Sequence, residues 1–306
     1  KPVTGAIPPL SRDAWLVEYA KYRASPEFLL LHHWMSLDDF KGIYWIEWSH
    51  RLLGRLTGAA VLLPLIYFAR TRALRGRLLG AVLGVFALGA LQGVMGWFMV
   101  ASGLVRDPRV SHFRLTAHLL LAVLIFVALT SLGLRASRGL DAEPRPALPG
   151  VRAMAGASLA GTVVTVAWGG LVAGLKAGLV SDTFPLMHGR LVPEGLLTLR
   201  PAATNLVSNA LAVQFVHRTL AYATAALVIA TAATALRAPG VTVRVRRAAW
   251  MLVVAVGLQV TLGALTVISH VNPHVALAHQ CNALLILLSA LRLMHAAEGV
   301  PAATAP

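Results

Sequence analysis

Cysteine is nearly missing from this chain: Cys281 is the single one in 306 residues. An intrachain disulfide and a cysteine-based metal centre are therefore excluded. Acidic residues are scarce too, with 12 Asp and Glu against 27 Lys and Arg, and charged residues of both signs make up only 13%. With 57% hydrophobic residues and a mean hydropathy of +0.71, the composition excludes an ordinary soluble domain and implies a polytopic membrane protein. A net charge of +15 raises nucleic acid as a partner. Most of the arginines, however, stand in short stretches between apolar runs, as in positive-inside loops. The expected partner is the lipid bilayer, and nucleic acid is not expected.

What the chain does have is Glu47-Trp48-Ser49-His50-Arg51, followed by an apolar run from Leu52 to Ala69 broken only by Arg55. A histidine and an arginine at the mouth of a membrane-length helix are costly to bury and need a partner that takes a nitrogen ligand and a positive charge. Haem is such a partner, since its iron takes an imidazole and its propionates take an arginine.

The motif has an echo in Gln214-Phe215-Val216-His217-Arg218, which opens the apolar run from Leu220 to Ala235. Gln92 follows His50 by 42 residues, and Gln259 follows His217 by 42. LQGVMGWFMVAS (91–102) lies over LQVTLGALTVIS (258–269), with Gly96 on Gly263 and Ser102 on Ser269. His118 in RLTAHLLLA matches His279 in VALAHQCNA, and the six extra residues of the first half fall after Ser102. This is an internal duplication, and it pairs the histidines.

Residues 1–46 read as a structured polar loop with a helix over 11–24 and an aromatic character suited to the headgroup zone. Runs long enough to cross a bilayer follow at 50–69, 78–101, 115–134, 153–175, 214–236, 248–269 and 275–294. Seven is odd for a duplication, so an eighth span is expected upstream of Lys1. The fold class expected is an all-α polytopic membrane protein of two tandem pseudo-symmetric four-helix bundles. The first (1–134) lacks its opening helix, a linker covers 135–152, the second bundle spans 153–296, and a tail covers 297–306. Four arginines each in 70–77, 135–152 and 237–247 put those connections in the cytoplasm or matrix. His50, His118, His217 and His279 then lie near the outer ends of their helices, where each half can face two imidazoles across a porphyrin.

Two haem sites are thus expected, with His50 and His118 in one and His217 and His279 in the other. Arg51 and Arg218 are candidates for propionates, with snorkelling to headgroups as the blander role. Gln92 and Gln259 are expected to bond between helices or to touch haem. His112, His188, His270 and His274 are expected to be solvated or beside propionates, and His32, His33 and His295 peripheral. The halves differ at Glu47, whose counterpart Gln214 cannot ionise. A carboxylate beside one haem only suggests that one half does chemistry or moves protons, unless Glu47 merely pairs with Arg51 one turn on. The residues alone leave a quinol-linked di-haem b cytochrome and a histidine-relay transporter open.

Together, EWSHRLLGRLTG, KPVTGAIPPLS, RLTAHL, GGLVAGLKAG with DTFPLM, QFVHRTLAY and VNPHVALAHQ resemble the haem A synthases, from Lys1 to about Leu293. The resemblance implies oxidation of the C8 methyl of haem O to the formyl group of haem A by successive hydroxylations, with oxygen and an electron donor. It implies haem b on His217 and His279 as a redox cofactor with Arg218 beside it. Haem O is implied near His50, His118 and Arg51, with Glu47 as the catalytic carboxylate. In that family the KPVTG stretch follows a first membrane helix. Some bacterial members carry a cysteine pair in the first outer loop; residues 1–46 have none, as in the mitochondrial and proteobacterial class. The implied location is the bacterial cytoplasmic membrane, or the mitochondrial inner membrane in a eukaryote. A homo-oligomer and a direct complex with a haem O synthase fit the same picture.

Overall fold

A computed structural model describes residues 7–103, 110–138 and 146–299. The opening KPVTGA, the extra residues at 104–109, the linker segment 139–145 and the tail after 299 lie outside the described residues. Ten α-helices are described: α1 Arg12–Arg23, α2 Pro26–Leu31, α3 Leu37–Arg70, α4 Gly76–Gly103, α5 His112–Arg138, α6 Pro149–Gly174, α7 Asn205–Ser208, α8 Ala210–Arg237, α9 Val243–Ile268 and α10 Pro273–Ala296. No strand occurs among the described residues, and one isolated bridge joins Met187 and Arg190. Seven helices (α3 to α6 and α8 to α10) are long and apolar enough to cross a membrane. This is an all-α, multi-pass membrane architecture. The chain divides into two compact units, residues 1–121 and 122–306.

In the first unit, α1 and α2 begin at serine caps: Ser11 accepts from the Ala14 N–H and Ser25 from the Phe28 N–H. Their aromatic side chains gather around Phe28, Met35 and Phe40, joined by Trp15, Tyr19, Tyr22 and Tyr44. Tyr22 stacks on Phe40 at 5.0 Å, and the Tyr19 hydroxyl donates to the Met35 carbonyl at 2.6 Å.

That cluster changes the sequence reading of residues 1–46. A helix over 11–24 was expected and α1 matches it, but α3 starts at Leu37 and not near His50. Ser36 and Asp39 form a reciprocal capping box there, and Phe40 and Tyr44 pack onto the cluster, so polar sequence is held helical well before the apolar run. His50 therefore lies thirteen residues inside α3, about 20 Å of helix. It does not open the helix. Beyond it, Leu53, Leu56, Leu63 and Ile66 are exposed, as on a helix solvated by lipid.

In the second unit, α6 packs on α8, α8 on α9, α9 on α10 and α10 on α6, a closed ring of four. Its core runs from Val151 and Ala155 through Val228, Ala232, Ala249, Leu252 and Val256 to Ile286, Ala290 and Leu293. The α6–α8 seam is lined by small polar residues, which let backbones approach and give hydrogen bonds that lipid cannot. Ser158 and Thr231 bond at 2.9 Å, Thr165 and Thr224 at 3.0 Å, and a Cβ at Gly161 would meet Thr224 at 3.2 Å.

The segment between α6 and α8, which the sequence leaves between the apolar runs 153–175 and 214–236, has structure of its own. It contains short 3₁₀ turns at Ala177–Leu179 and Ala202–Thr204 and the single turn α7. Asn205 and Asn209 tie it down, Asn205 bonding to Leu199 and Ala202, and Asn209 to Gly195, Thr198 and the first N–H groups of α8. α8 consequently begins at Ala210, placing His217 two turns inside it. His295, expected to be peripheral, is only 5% exposed and faces Glu298 at 3.7 Å near the end of α10. His32 is not an isolated surface group either, since its Nδ1 meets the Tyr22 hydroxyl at 3.0 Å.

Candidate functional site

His118 is six residues into α5, His279 six into α10 and His217 seven into α8. In the first unit His50 and His118 are close enough to interact electrostatically, and in the second His217 and His279 are. The pairs that the duplication predicts are therefore neighbours within their own units.

His217 is positioned by α6. Its Nδ1 lies 3.1 Å from the Thr165 carbonyl, which can only accept, so Nδ1 carries the proton and Nε2 the lone pair. A Cβ at Gly169, one turn on from Thr165, would sit 3.3 Å from the His217 ring. This tautomer, with the outer nitrogen free and the inner one held by a carbonyl, is the arrangement metal-ligating histidines use.

His118 and His279 are held by the preceding helix, each in the same way. Gln92 Nε2 lies 3.3 Å from His118 Nε2, and Gln259 Nε2 lies 3.3 Å from His279 Nε2. One turn beyond each glutamine is a glycine whose absent side chain leaves room for the ring. A Cβ at Gly96 would meet His118 Cε1 at 3.2 Å, and one at Gly263 would meet His279 Cε1 at 3.0 Å. The sequence places these glutamines and glycines in register, but only the packing shows that both face a histidine.

The arginines behave differently in the two units. Arg51 Nη1 donates to Glu47 Oε1 at 2.8 Å across one turn of α3, with 36% and 47% of the side chains exposed. Arg218 is 9% exposed and donates to the carbonyls of Thr183 at 2.8 Å and Ser181 at 3.0 Å. Gln214, the counterpart of Glu47, is 2% exposed and donates to the same Ser181 carbonyl at 2.9 Å. Nevertheless Nε of Arg51 and Nε of Arg218 are both buried without a partner. Each is an N–H donor with capacity for an anionic oxygen, which is what a propionate offers. The donor set, the His217 tautomer and the glycine clearances fit haem.

The match to known proteins covers nearly everything. A family described as cytochrome oxidase assembly protein matches residues 1–291. The chain belongs to that family. Among the relatives of this chain is the "Heme A synthase" of Rhodospirillum centenum, 47% identical over 94% of this chain and 76% of the relative. The "Heme A synthase" of Azorhizobium caulinodans is 44% identical over 97% of this chain and 84% of its own length. That of Wolbachia pipientis wMel is 38% identical over 95% and 81%.

Of the other histidines, His188 closes the loop on itself, its Nε2 meeting the Val180 carbonyl at 3.0 Å. His270 faces Asp182 at 3.6 Å and is exposed. Sequence reading missed Thr165, Ser181 and Thr183, whose contributions are backbone carbonyls and leave no side-chain signature. It also missed Asn282, which donates to the Ala255 carbonyl at 2.8 Å and to Gln259 Oε1 at 2.7 Å. Laying the repeats over each other would have exposed it, because Leu121 stands at the equivalent position three residues after His118.

Proposed function

We propose that this protein acts as a haem A synthase, a multi-pass membrane oxidoreductase with haem O as substrate and haem A as product. The observation that carries the reading is the pair of histidine–glutamine–glycine arrangements, one in each unit, in a chain whose family and relatives are those named above. The finer assignment is that the C8 methyl of haem O becomes a formyl group through successive hydroxylations. The amino-terminal half takes haem O near His50, His118 and Arg51, and the carboxyl-terminal half holds haem b on His217 and His279 beside Arg218.

Bound haem supplies the iron redox chemistry that side chains lack, with molecular oxygen and an electron donor as co-reactants. The protein's own part is orientation and proton handling. His217 offers Nε2 because Thr165 holds its Nδ1 proton. Arg51 and Arg218 supply their unpaired Nε donors to propionates. Glu47 is the one carboxylate on the histidine-bearing turn of α3; released from Arg51, its Oε1 can hold or pass a proton beside His50. Gln214 cannot do this, and its amide is committed to Ser181, so the carboxyl-terminal half has no equivalent proton carrier at that position. The membrane is the bacterial cytoplasmic one, or the mitochondrial inner membrane in a eukaryote, and the arginine distribution supports sites toward the outer face. Direct delivery of haem O by its synthase and a homo-oligomeric state are compatible with this reading.

Extraction and chromatography of the haems bound to purified protein, made in cells that produce haem O, tests the reading. Haem b with haem O, a hydroxylated intermediate or haem A is the expected result. Two unmodified b haems per chain despite available haem O would instead make it an electron-transfer cytochrome.

A further inference from the structure

The two glutamine amides can be oriented without ambiguity. The Ala255 carbonyl accepts only, so the Asn282 group 2.8 Å from it is its NH₂. That NH₂ also donates to Gln259, so the Gln259 atom facing it is Oε1 and the atom facing His279 Nε2 is Nε2. In the first unit the anchor differs. Gln92 Nε2 lies 3.1 Å from the His118 carbonyl, which again fixes the nitrogen, and the same NH₂ meets His118 Nε2 at 3.3 Å. In both units an amide proton therefore points at the lone pair of Nε2, the pair that iron would take. The ring proton is left on Nδ1, which in His118 is buried without an acceptor.

One atom cannot serve two acceptors of its lone pair. We propose that Gln92 and Gln259 are placeholders: each donates to Nε2 of its histidine when iron is absent and gives that nitrogen up when haem binds. The proposal rests on the reading of His118 and His279 as haem ligands. An interaction present only in the unligated state weakens ligation by its own free energy. The glutamines thus lower haem affinity and give a departing histidine somewhere to rest, which suits a half that must take in haem O and release haem A. Gln92 has the same arrangement without the asparagine: Leu121 stands where Asn282 would be, and Gln92 Oε1 is buried and unpaired.

The sign of the effect separates this from a packing role. Removing the amide in Gln259→Leu or Gln92→Leu should tighten haem binding about fivefold, the equivalent of one ordinary hydrogen bond. Gln259→Glu keeps the shape and puts an acceptor at Nε2, so a proton settles there and haem binding weakens. The measurement is the partition of haem between the full-length protein and an excess of an apo-globin acceptor, with haem b for wild type and the two Gln259 variants and haem O for wild type and Gln92→Leu. Tighter binding in the leucine variants with weaker binding in the glutamate variant supports the placeholder role. Leucine variants that bind as weakly as the glutamate variant, or unchanged partition in all three, overturn it.

A second readout needs no haem. In the haem-free protein labelled with ¹⁵N-histidine, His118 and His279 should show an unprotonated, hydrogen-bonded Nε2, and Gln92→Leu or Gln259→Leu should each shift one of these signals. Signals that do not respond overturn the proposal. If they respond but wild type takes up no haem, the hydrogen bonds stand and the haem A synthase reading fails instead.

Discussion

Gly263→Ala is the substitution whose outcome the geometry fixes most tightly. A Cβ there would lie 3.0 Å from Cε1 of His279, where carbon contacts are normally about 3.5–4.0 Å. Either α9 and α10 separate or the ring turns, and either change moves Nε2 of His279 from the place where the packing holds it. Overpacking of this kind costs about 1–3 kcal/mol. Charged against ligation, that is about five- to 150-fold in haem b affinity. The control is on the same helix: Gly257 has nothing within 4 Å of its Cβ position, and alanine there removes a glycine from a helix interior, which is favourable by about 1 kcal/mol. Haem b per chain, counted from the pyridine haemochrome of purified protein, should fall in Gly263→Ala and stay at wild-type level in Gly257→Ala. Gly96→Ala, with 3.2 Å to His118, should act in the same direction on the amino-terminal site. Full haem b in Gly263→Ala with an unchanged spectrum would refute the claim that this glycine exists to seat the ligand.

Glu47→Gln should retain haem yet stop conversion of haem O, with stability changed by no more than about 1 kcal/mol because the Arg51 pair is half exposed. Conversion at the wild-type rate would remove Glu47 from the chemistry. Arg218→Lys cannot keep both carbonyl bonds at Ser181 and Thr183, so thermal unfolding in detergent should come earlier by about 1.5–3 kcal/mol, with the 176–204 segment more open to proteolysis. An unchanged melting profile would mean that other contacts hold that loop. Burial, then Glu27 and Tyr19, push the Tyr22 phenol up to about 12 from its ordinary value near 10. The unfolded chain ionises first, so this group's stabilisation is complete below pH 10 and is lost as the pH rises through 12. In Tyr22→Phe the decline over that window should be shallower, read by near-ultraviolet circular dichroism of the aromatic cluster.

Much was legible without a structure because membrane helices write their limits into composition. The seven spans, the duplication and the four histidines depend on hydropathy and spacing, which are properties of the chain read one residue at a time. The start of α3 was not legible in that way. Residues 37–49 are too polar to be recognised as the continuation of a span, and they are helical because a capping box at Ser36 and an aromatic cluster of Phe28, Met35 and Phe40 hold them so. Propensity and hydropathy are local, whereas that cluster joins three separate helices.

The site divides along the same line. Sequence alone determined which residues correspond: His50 with His217, His118 with His279, Gln92 with Gln259 and Gly96 with Gly263 all follow from register in the repeat. Only the tertiary structure decided what each one does. It turned Arg218 and Gln214 onto the backbone of the Ser181–Thr183 loop and left Glu47 with Arg51. It brought Thr165 to His217 and each glutamine to a histidine one helix further on. The physical reason is that a repeat preserves position along a helix, while hydrogen-bond partners are set by which helix lies opposite and by how closely the glycines let it approach.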